Sequence, residues 1–366
     1  MRHQGGVRNT GHRKITGMRG LILLFIMIFL ACGRESEDPS LKFTASVNNP
    51  VLNPGIPGEW DDMSVQVPYV VAVEGTLYLF FTGFSSDGPP AIGIATSGDG
   101  VHFTKLKENP VFAADGTGID AYGVGAQVII KGKEGWVMYY NARDISGYGP
   151  GSYIGRATAD ELAGPWYRTE TPVLVTGKTG DWDAGFVFPT SVLINDDGLY
   201  MMYYSGGTGF DFDSKNYIGL ATSADGITWK KYNNPATAGH PYAESDPVLM
   251  SGKSGDWDGF ETWSCYVFRN EDGFVAVYSG GPHLEGGQTL AAGYATSNNG
   301  IQWTKYGGNP VFEAGDDPFG NAQDGNAIIE FPVLVVTDTA WLLYYDYGSI
   351  VGKIGLAVSK INEPGR

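Results

Sequence analysis

The 366-residue chain has only two cysteines, Cys32 and Cys265. With Cys32 at the edge of an N-terminal leader, Cys265 is the one thiol left to the folded part, which excludes an internal disulfide and any multi-cysteine metal site. Basic residues are scarce as well: 24 Lys and Arg stand against 40 Asp and Glu, for a net charge of −16. So acidic a surface excludes nucleic acid and anionic lipid as natural partners. The apolar run LILLFIMIFLA, Leu21 to Ala31, is too short to span a bilayer. No segment reads as a sustained amphipathic helix. No nucleotide-binding glycine motif or serine–histidine pattern stands out, so no organic cofactor is indicated.

What is present begins with that leader. The first 31 residues hold Arg2, Arg8, Arg13, Lys14, Arg19 and no acid, then the apolar run and the sequence F-L-A-C ending at Cys32. A basic segment, a short apolar segment and a small residue before cysteine mark an export signal, residues 1–32. The pattern resembles a bacterial lipoprotein signal, which implies lipidation of Cys32, a polar tether over 33–42 and a protein held at the cell envelope. In a host with two membranes, Gly33 points to the outer one; a plain secretory signal is the alternative. Membrane contact is then expected through the lipid alone. Removing the leader takes away five basic residues and carries the net charge to about −21.

Beyond the leader the chain repeats itself. GDWD occurs at 180–183 and again at 255–258. Aligned on the acid, five units appear, opened by Asp61, Asp120, Asp183, Asp258 and Asp324. Each acid stands 19 or 20 residues before a pair of large residues: Phe80-Phe81, Tyr139-Tyr140, Tyr203-Tyr204, Val277-Tyr278 and Tyr344-Tyr345. Within a unit, an apolar run such as SVLI meets a turn (NDDG), then LYMMYYSGG, a variable loop, YIGLATS, a tight turn (ADG) and ITWKKY. These are four strands joined by hairpins, one blade of a propeller. The fifth unit stops after its third strand, while FTASVNNPVL near the start matches the fourth-strand segments FTKLKENPVF and WTKYGGNPVF. The expected fold is all-β: a five-bladed propeller of four-stranded antiparallel blades over 43–366, its last blade closed by the N-terminal strand. A monomer is expected. The long, irregular connections, and the five opening acids, fall at one end of the propeller, the expected functional face.

This arrangement resembles the five-bladed propeller glycosidases, the superfamily of glycoside hydrolase families 43, 32, 62, 68 and 130 that includes arabinanases, levansucrases and invertases. The resemblance covers about residues 43 to 361. It implies hydrolysis of glycosidic bonds in an oligo- or polysaccharide, with an aspartate base or nucleophile in blade one, an aspartate modulator in blade two and a glutamate acid in blade three. Carried over, blade one offers Asp61 or Asp62 and blade two Asp120. Blade three departs from the pattern: its inner strand has no glutamate, which leaves Asp183. Glu261, in WDGFETW of blade four, is the acid that breaks the symmetry, since Ser64, Gly123, Phe186 and Ala327 stand at the same offset elsewhere.

These acids suit the chemistry, because an oxocarbenium-like transition state needs one carboxylic acid at the departing oxygen and a carboxylate on the other side. Each repeat aspartate equally suits a structural role, accepting N–H bonds in the turn that enters its strand. Trp263, Arg143 and His283, together with Asp258 and Asp324, complete the candidate sugar contacts. Trp60, Trp182 and Trp257 read instead as packing between blades. Asp211 and Asp213 are oxygen ligands of the type calcium takes, but two acids without a loop motif assign no metal. The turns TSADGITW and TSGDGVHF are one residue short of a sialidase Asp-box and read as hairpin turns. The alternative to an enzyme is a surface lipoprotein that binds glycans without cleaving them.

Overall fold

The computed structural model describes residues 41–144, 152–209, 214–284, 287–288, 290–317, 328–347 and 351–360. The leader with Cys32 and most of the tether lie outside them, and the compact unit that carries the strands is Asp38–Arg366. Among the described residues no helix is long and apolar enough to cross a membrane.

Five four-stranded antiparallel blades follow one another along the chain. From inside to outside, blade one is Ser64–Val73, Thr76–Phe84, Ala91–Ser97 and Thr104–Lys105. Blade two is Gly123–Gly132, Gly135–Arg143, Ser152–Ala159 and Tyr167–Arg168. Blade three is Phe186–Ile194, Tyr200–Gly207, Asn216–Ser223 and Lys230–Lys231, with Pro247–Leu249 paired to its third strand as well. Blade four is Glu261–Asn270, Gly273–Gly281, Ala291–Ser297 and Thr304–Lys305. Blade five takes Ile329–Val336, Ala340–Tyr347 and Lys353–Lys360 from the end of the chain and Thr44–Ala45 from its beginning. Thr44 pairs with Val358 and Ala45 with Ala357, which is the closure anticipated from the FTASVNNPVL match.

The recurrent sequence features each have a packing reason. The third strand carries a glycine at the same place in every blade: Gly93, Gly155, Gly219, Gly293 and Gly355. A methyl group there would stand between 2.3 and 2.7 Å from the ring of Phe81, Tyr140, Tyr204, Tyr278 or Tyr345 on the second strand. The ring therefore lies flat over bare backbone, where any larger residue would force it out. The first aromatic of each pair faces the other way, toward the next blade. Tyr139 donates to the Gly226 carbonyl at 2.7 Å, Tyr203 to Gly300 at 2.9 Å and Tyr344 to Gly100 at 2.8 Å. The receiving turns are the shortened Asp-box sequences. In the first, Ser97 Oγ accepts the Gly100 N–H, and Asp99 Oδ1 accepts those of Val101 and His102, each at 2.9 Å, so these residues build a hairpin turn as expected.

Candidate functional site

The four described repeat aspartates, Asp61, Asp120, Asp183 and Asp258, are held inside their blades. Each is buried within its own blade against a cation on the outermost strand: Asp61 with Lys105 at 2.6 Å, Asp120 with Arg168 at 3.0 Å, Asp183 with Lys231 at 2.6 Å and Asp258 with Lys305 at 2.5 Å. Asp120, Asp183 and Asp258 also accept the hydroxyls of Tyr140, Tyr204 and Tyr278 at 3.0 Å. A carboxylate taken out of water needs a counter-charge and donors, and the blade provides both between its second and fourth strands. Burial pushes the Asp120 carboxyl up, and Arg168 opposes the shift. Among the described residues these four acids line no part of the cavity described below, so the base, modulator and acid roles that the resemblance implies for Asp61, Asp120 and Asp183, and the sugar contact expected of Asp258, are not met there. The preceding tryptophans stack within the blade rather than between blades, Trp60 on Phe81 at 5.6 Å and Trp182 on Tyr204 at 5.8 Å. Asp62 accepts the Gly58 N–H at 2.7 Å and closes its own turn.

Asp324 lies outside the described residues. In blade five the place of the repeat acid is taken by Asp317, fully buried, which accepts the Tyr345 hydroxyl and, at 3.0 Å, the Asn49 amide. Blade five spaces Asp317 and Tyr345 by 28 residues where Asp120 and Tyr140 are 20 apart, so counting from the aromatic pair selects Asp324 instead.

A cavity of about 140 Å³ opens where all five inner strands converge. Its walls include Gln66 and Thr82 of blade one, Asn141 and Arg143 of blade two, Phe188 of blade three, Trp263 of blade four and Glu330 of blade five. Below it the channel narrows to about 10 Å³ between Tyr69, Gln127, Thr190, Cys265 and Val333. The inner strands change register at this level, and in three of them a non-glycine residue of the irregularity lies at positive φ: Val67 at 52°, Ala126 at 44° and Phe331 at 46°. Such backbone is costly for a β-branched or aromatic residue and persists where surrounding contacts hold it. The partners of their N–H groups come from the preceding blade. The Val67 N–H donates to Asp346 Oδ2 at 2.8 Å, the Ala126 N–H to Thr82 Oγ1 at 3.1 Å and the Phe331 N–H to Ser264 Oγ at 3.1 Å.

One carboxyl group lines this cavity, and two more, Asp346 and Glu261, are buried off its wall but close enough for their charge to bear on the first. Glu330 is half-buried and lines the cavity; its neighbour across the strand pair is the buried Asp346. Glu261, at the start of the inner strand of blade four, is buried and accepts the Asn216 amide at 2.9 Å. Burial, then the negative charges of Asp346 and Glu261, push the Glu330 carboxyl well above the ordinary glutamate range. Burial pushes Asp346 up to about 7, against the pull of the Val67 N–H. Carboxyl groups displaced in this direction can hold a proton near neutrality, which general-acid chemistry requires.

Of the other expected contacts, Arg143 Nε donates to Asn141 Oδ1 at 3.2 Å, and both residues line the cavity. The Trp263 ring meets Phe188 edge-on at 5.5 Å, giving the cavity one aromatic wall. His283 pairs through its backbone with Gln288 in a two-residue hairpin, and its ring lies outside the described side chains. Asp211 and Asp213 also lie outside the described residues. Among the described residues no group of three or more His, Cys, Asp or Glu is placed to hold a metal.

Glu330 and Asp346 escaped the sequence reading, although a signal was available. The residue after each aromatic pair is Thr82, Asn141, Ser205, Ser279 and then Asp346. The same search for broken symmetry that singled out Glu261 from the repeat acid would have found Asp346 from the aromatic pair.

No protein-family profile matches the chain. An uncharacterized protein of Mycobacterium tuberculosis is 25% identical over 250 residues, covering 66% of this chain and 75% of that one. Among solved structures, a glycosyl hydrolase from Bacteroides ovatus superposes with a TM-score of 0.65 at 21% identity, over 88% of this chain and 95% of that one. A structure described with the GH130 family of mannoside phosphorylases, said to contain hydrolases of β-1,2 mannosidic linkages in Candida mannan, gives 0.64 at 22% identity, over 88% and 95%. A thermostable family-43 glycoside hydrolase gives 0.59 at 18% identity, over 87% and 94%. The chain has the fold of these glycoside hydrolases. At such identities the likeness speaks for the five-bladed scaffold, and the chemistry has to be argued from this chain's own side chains.

Proposed function

We propose that the protein is an exported glycoside hydrolase that takes one terminal sugar ring into the cavity beside Glu330. The observation that carries this reading is the place of Glu330, a carboxyl pushed well above the ordinary glutamate range, on the wall of the cavity of about 140 Å³ where all five blades meet, with Glu261 buried on the adjoining blade. In this reading Glu330 protonates the departing glycosidic oxygen. Glu261, hydrogen-bonded as an acceptor by Asn216, is the carboxylate that activates water or attacks the sugar. Trp263 offers an apolar face to the ring and Arg143 donates to its hydroxyls. A cavity of about 140 Å³ is smaller than the roughly 300–1,000 Å³ of common small-molecule sites, which favours a single ring over an internal stretch of chain.

Water is favoured over phosphate as the acceptor. Arg143 is the one cationic side chain among the described residues of the cavity wall, and nearby carboxylates repel an incoming dianion. Export with lipidation at Cys32 belongs to the same reading and rests on the leader sequence.

The test is to screen the protein from residue 33 onward on aryl glycosides and on plant, algal and fungal oligosaccharides, following release of terminal monosaccharide. Glu330→Gln and Glu261→Gln are each expected to lower kcat by at least about a hundredfold. Sugar binding without release by the unaltered protein would make it a glycan-binding module, and activity unchanged in both variants would refute the assignment. Growth with a radiolabelled fatty acid, comparing the full chain with Cys32→Ala, tests the anchor.

A further inference from the structure

We propose that Asp346 is a positioning residue whose charge, rather than whose hydrogen bond, serves the cavity: it keeps the neighbouring Glu330 in the protonated form. The inference rests on the reading of Glu330 as proton donor and deepens it. Asp346 Oδ2 accepts the N–H of Val67, the positive-φ residue of the next blade, at 2.8 Å. One blade further on, Thr82 occupies the same place after the aromatic pair and does the same work, its Oγ1 accepting the N–H of Ala126 at 3.1 Å. A neutral hydroxyl is therefore enough to hold the irregular backbone. Blades two, three and four carry Asn141, Ser205 and Ser279 at this place, all neutral. Only blade five buries a carboxyl there, and only in blade five does the residue paired with it across the strands, Glu330, carry a carboxyl too.

Burying an acid where a hydroxyl would suffice costs stability, so the acid has to be explained by what lies beside it. The charged residues on the strands packed around Asp346 are few. The inner strand of its own blade offers Glu330. The third strand begins with Lys353, which pairs with Tyr347 rather than with Asp346. The inner strand of blade one, Ser64–Val73, carries no charged residue. Glu261 reaches Glu330 from blade four and adds a second negative charge. Two carboxyl groups this close in a site of low dielectric do not both ionise readily, and their protons come off in two separate steps. The more deeply buried Asp346 has the Val67 N–H to stabilise its ionised form, and ionising it leaves the proton on Glu330, the member that faces the cavity.

The experiment compares the unaltered protein with Asp346→Thr, which copies blade one, and with Asp346→Asn, using two readouts. The first is the C=O stretch of protonated carboxyl groups in difference infrared spectra recorded across the pH range, with Glu330→Gln identifying the Glu330 band; it needs no activity. Both Asp346 variants are expected to keep the fold and to move the Glu330 titration down by about one pH unit or more. The second is the pH profile of kcat/KM on whichever glycoside is turned over, whose alkaline limb is expected to move down by the same amount. A shifted band in a protein without activity would uphold the coupling and reject the hydrolase reading instead. An unshifted Glu330 band in both variants would overturn the proposal. So would failure of both variants to fold, because the charge would then be serving the backbone tether.

Discussion

The Tyr344 hydroxyl of blade five donates to the Gly100 carbonyl of blade one at 2.8 Å, across the seam where the end of the propeller meets its start. The partner carbonyl sits in a turn that Ser97 already holds from inside blade one. Tyr344→Phe removes the donor and keeps the ring. It is expected to cost about 1–3 kcal/mol, the penalty for leaving a buried acceptor unsatisfied, read as a lower denaturation midpoint with an unchanged slope.

The buried pairs of the repeat acids predict a loss of stability without a specific loss of chemistry. Asp183→Ala strands Lys231 and the Tyr204 hydroxyl, which meet Asp183 at 2.6 and 3.0 Å. Removing one member of such a pair typically costs about 3–5 kcal/mol. At a temperature where the variant is still folded, turnover per folded molecule should match that of the unaltered protein. A loss of hundredfold or more in the folded variant would return Asp183 to the catalytic machinery.

Stability should fall as the pH rises through the window set by Asp346. Its carboxyl is raised from 3.8 in the open chain to about 7 in the folded protein. Below 3.8 both states are protonated and nothing is lost. Between 3.8 and about 7 the unfolded chain gives up a proton that the folded chain keeps, so unfolding becomes progressively easier, and above 7 the penalty is constant. Glu330, displaced in the same direction, adds to the loss of stability as the pH rises. Asp346→Asn should flatten the dependence of melting temperature on pH across that window and make the protein more stable than the parent at pH 8.

Cys265 should behave as a reporter of global opening. The thiol is buried, pushed up to about 12 by loss of solvation, and borders the narrow part of the channel. At pH 8 labelling by an alkylating reagent should be undetectable in the folded state and rapid in denaturant. Reaction in native buffer at the rate of the exposed thiol would show that the channel opens independently of the blades.

The sequence showed the propeller because its signals are those of repeated packing: aromatic pairs, a glycine beneath each ring, and short turns that must recur whenever a blade recurs. It misled on the acids for the same reason. Asp61, Asp120, Asp183 and Asp258 recur because blades one to four each pair a buried carboxylate with the Lys or Arg of the outermost strand, and recurrence at the start of the inner strand looked like a shared functional role. Arg143 and Trp263, expected as sugar contacts, both stand on the cavity wall. Glu330 was not legible, since its importance depends on a cross-strand neighbour, Asp346, that lies sixteen positions away and is identified only by the pairing of Glu330 with it. Blade five also stretches the interval between its repeat acid and its tyrosines, which hid Asp317 behind Asp324.

The N–H groups of the three positive-φ residues of the irregular inner strands are all held from the same side round the ring: Val67 by Asp346, Ala126 by Thr82, Phe331 by Ser264. In blades one, two and five the irregular strand is thus braced by the blade before it, while the Val67 carbonyl also accepts the Gln127 amide of the blade after it at 2.7 Å. Because blade five is closed only by the pairing of Thr44–Ala45 with the Lys353–Lys360 strand, the Val67–Asp346 fastener crosses the seam between the N-terminal and C-terminal parts of the fold and relies on that pairing to stay in register. Relocated termini between blades two and three would spare all three braces, whereas a cut between blades five and one would leave Val67 and the wall beside Gln66 to a partner no longer held next to it by the chain.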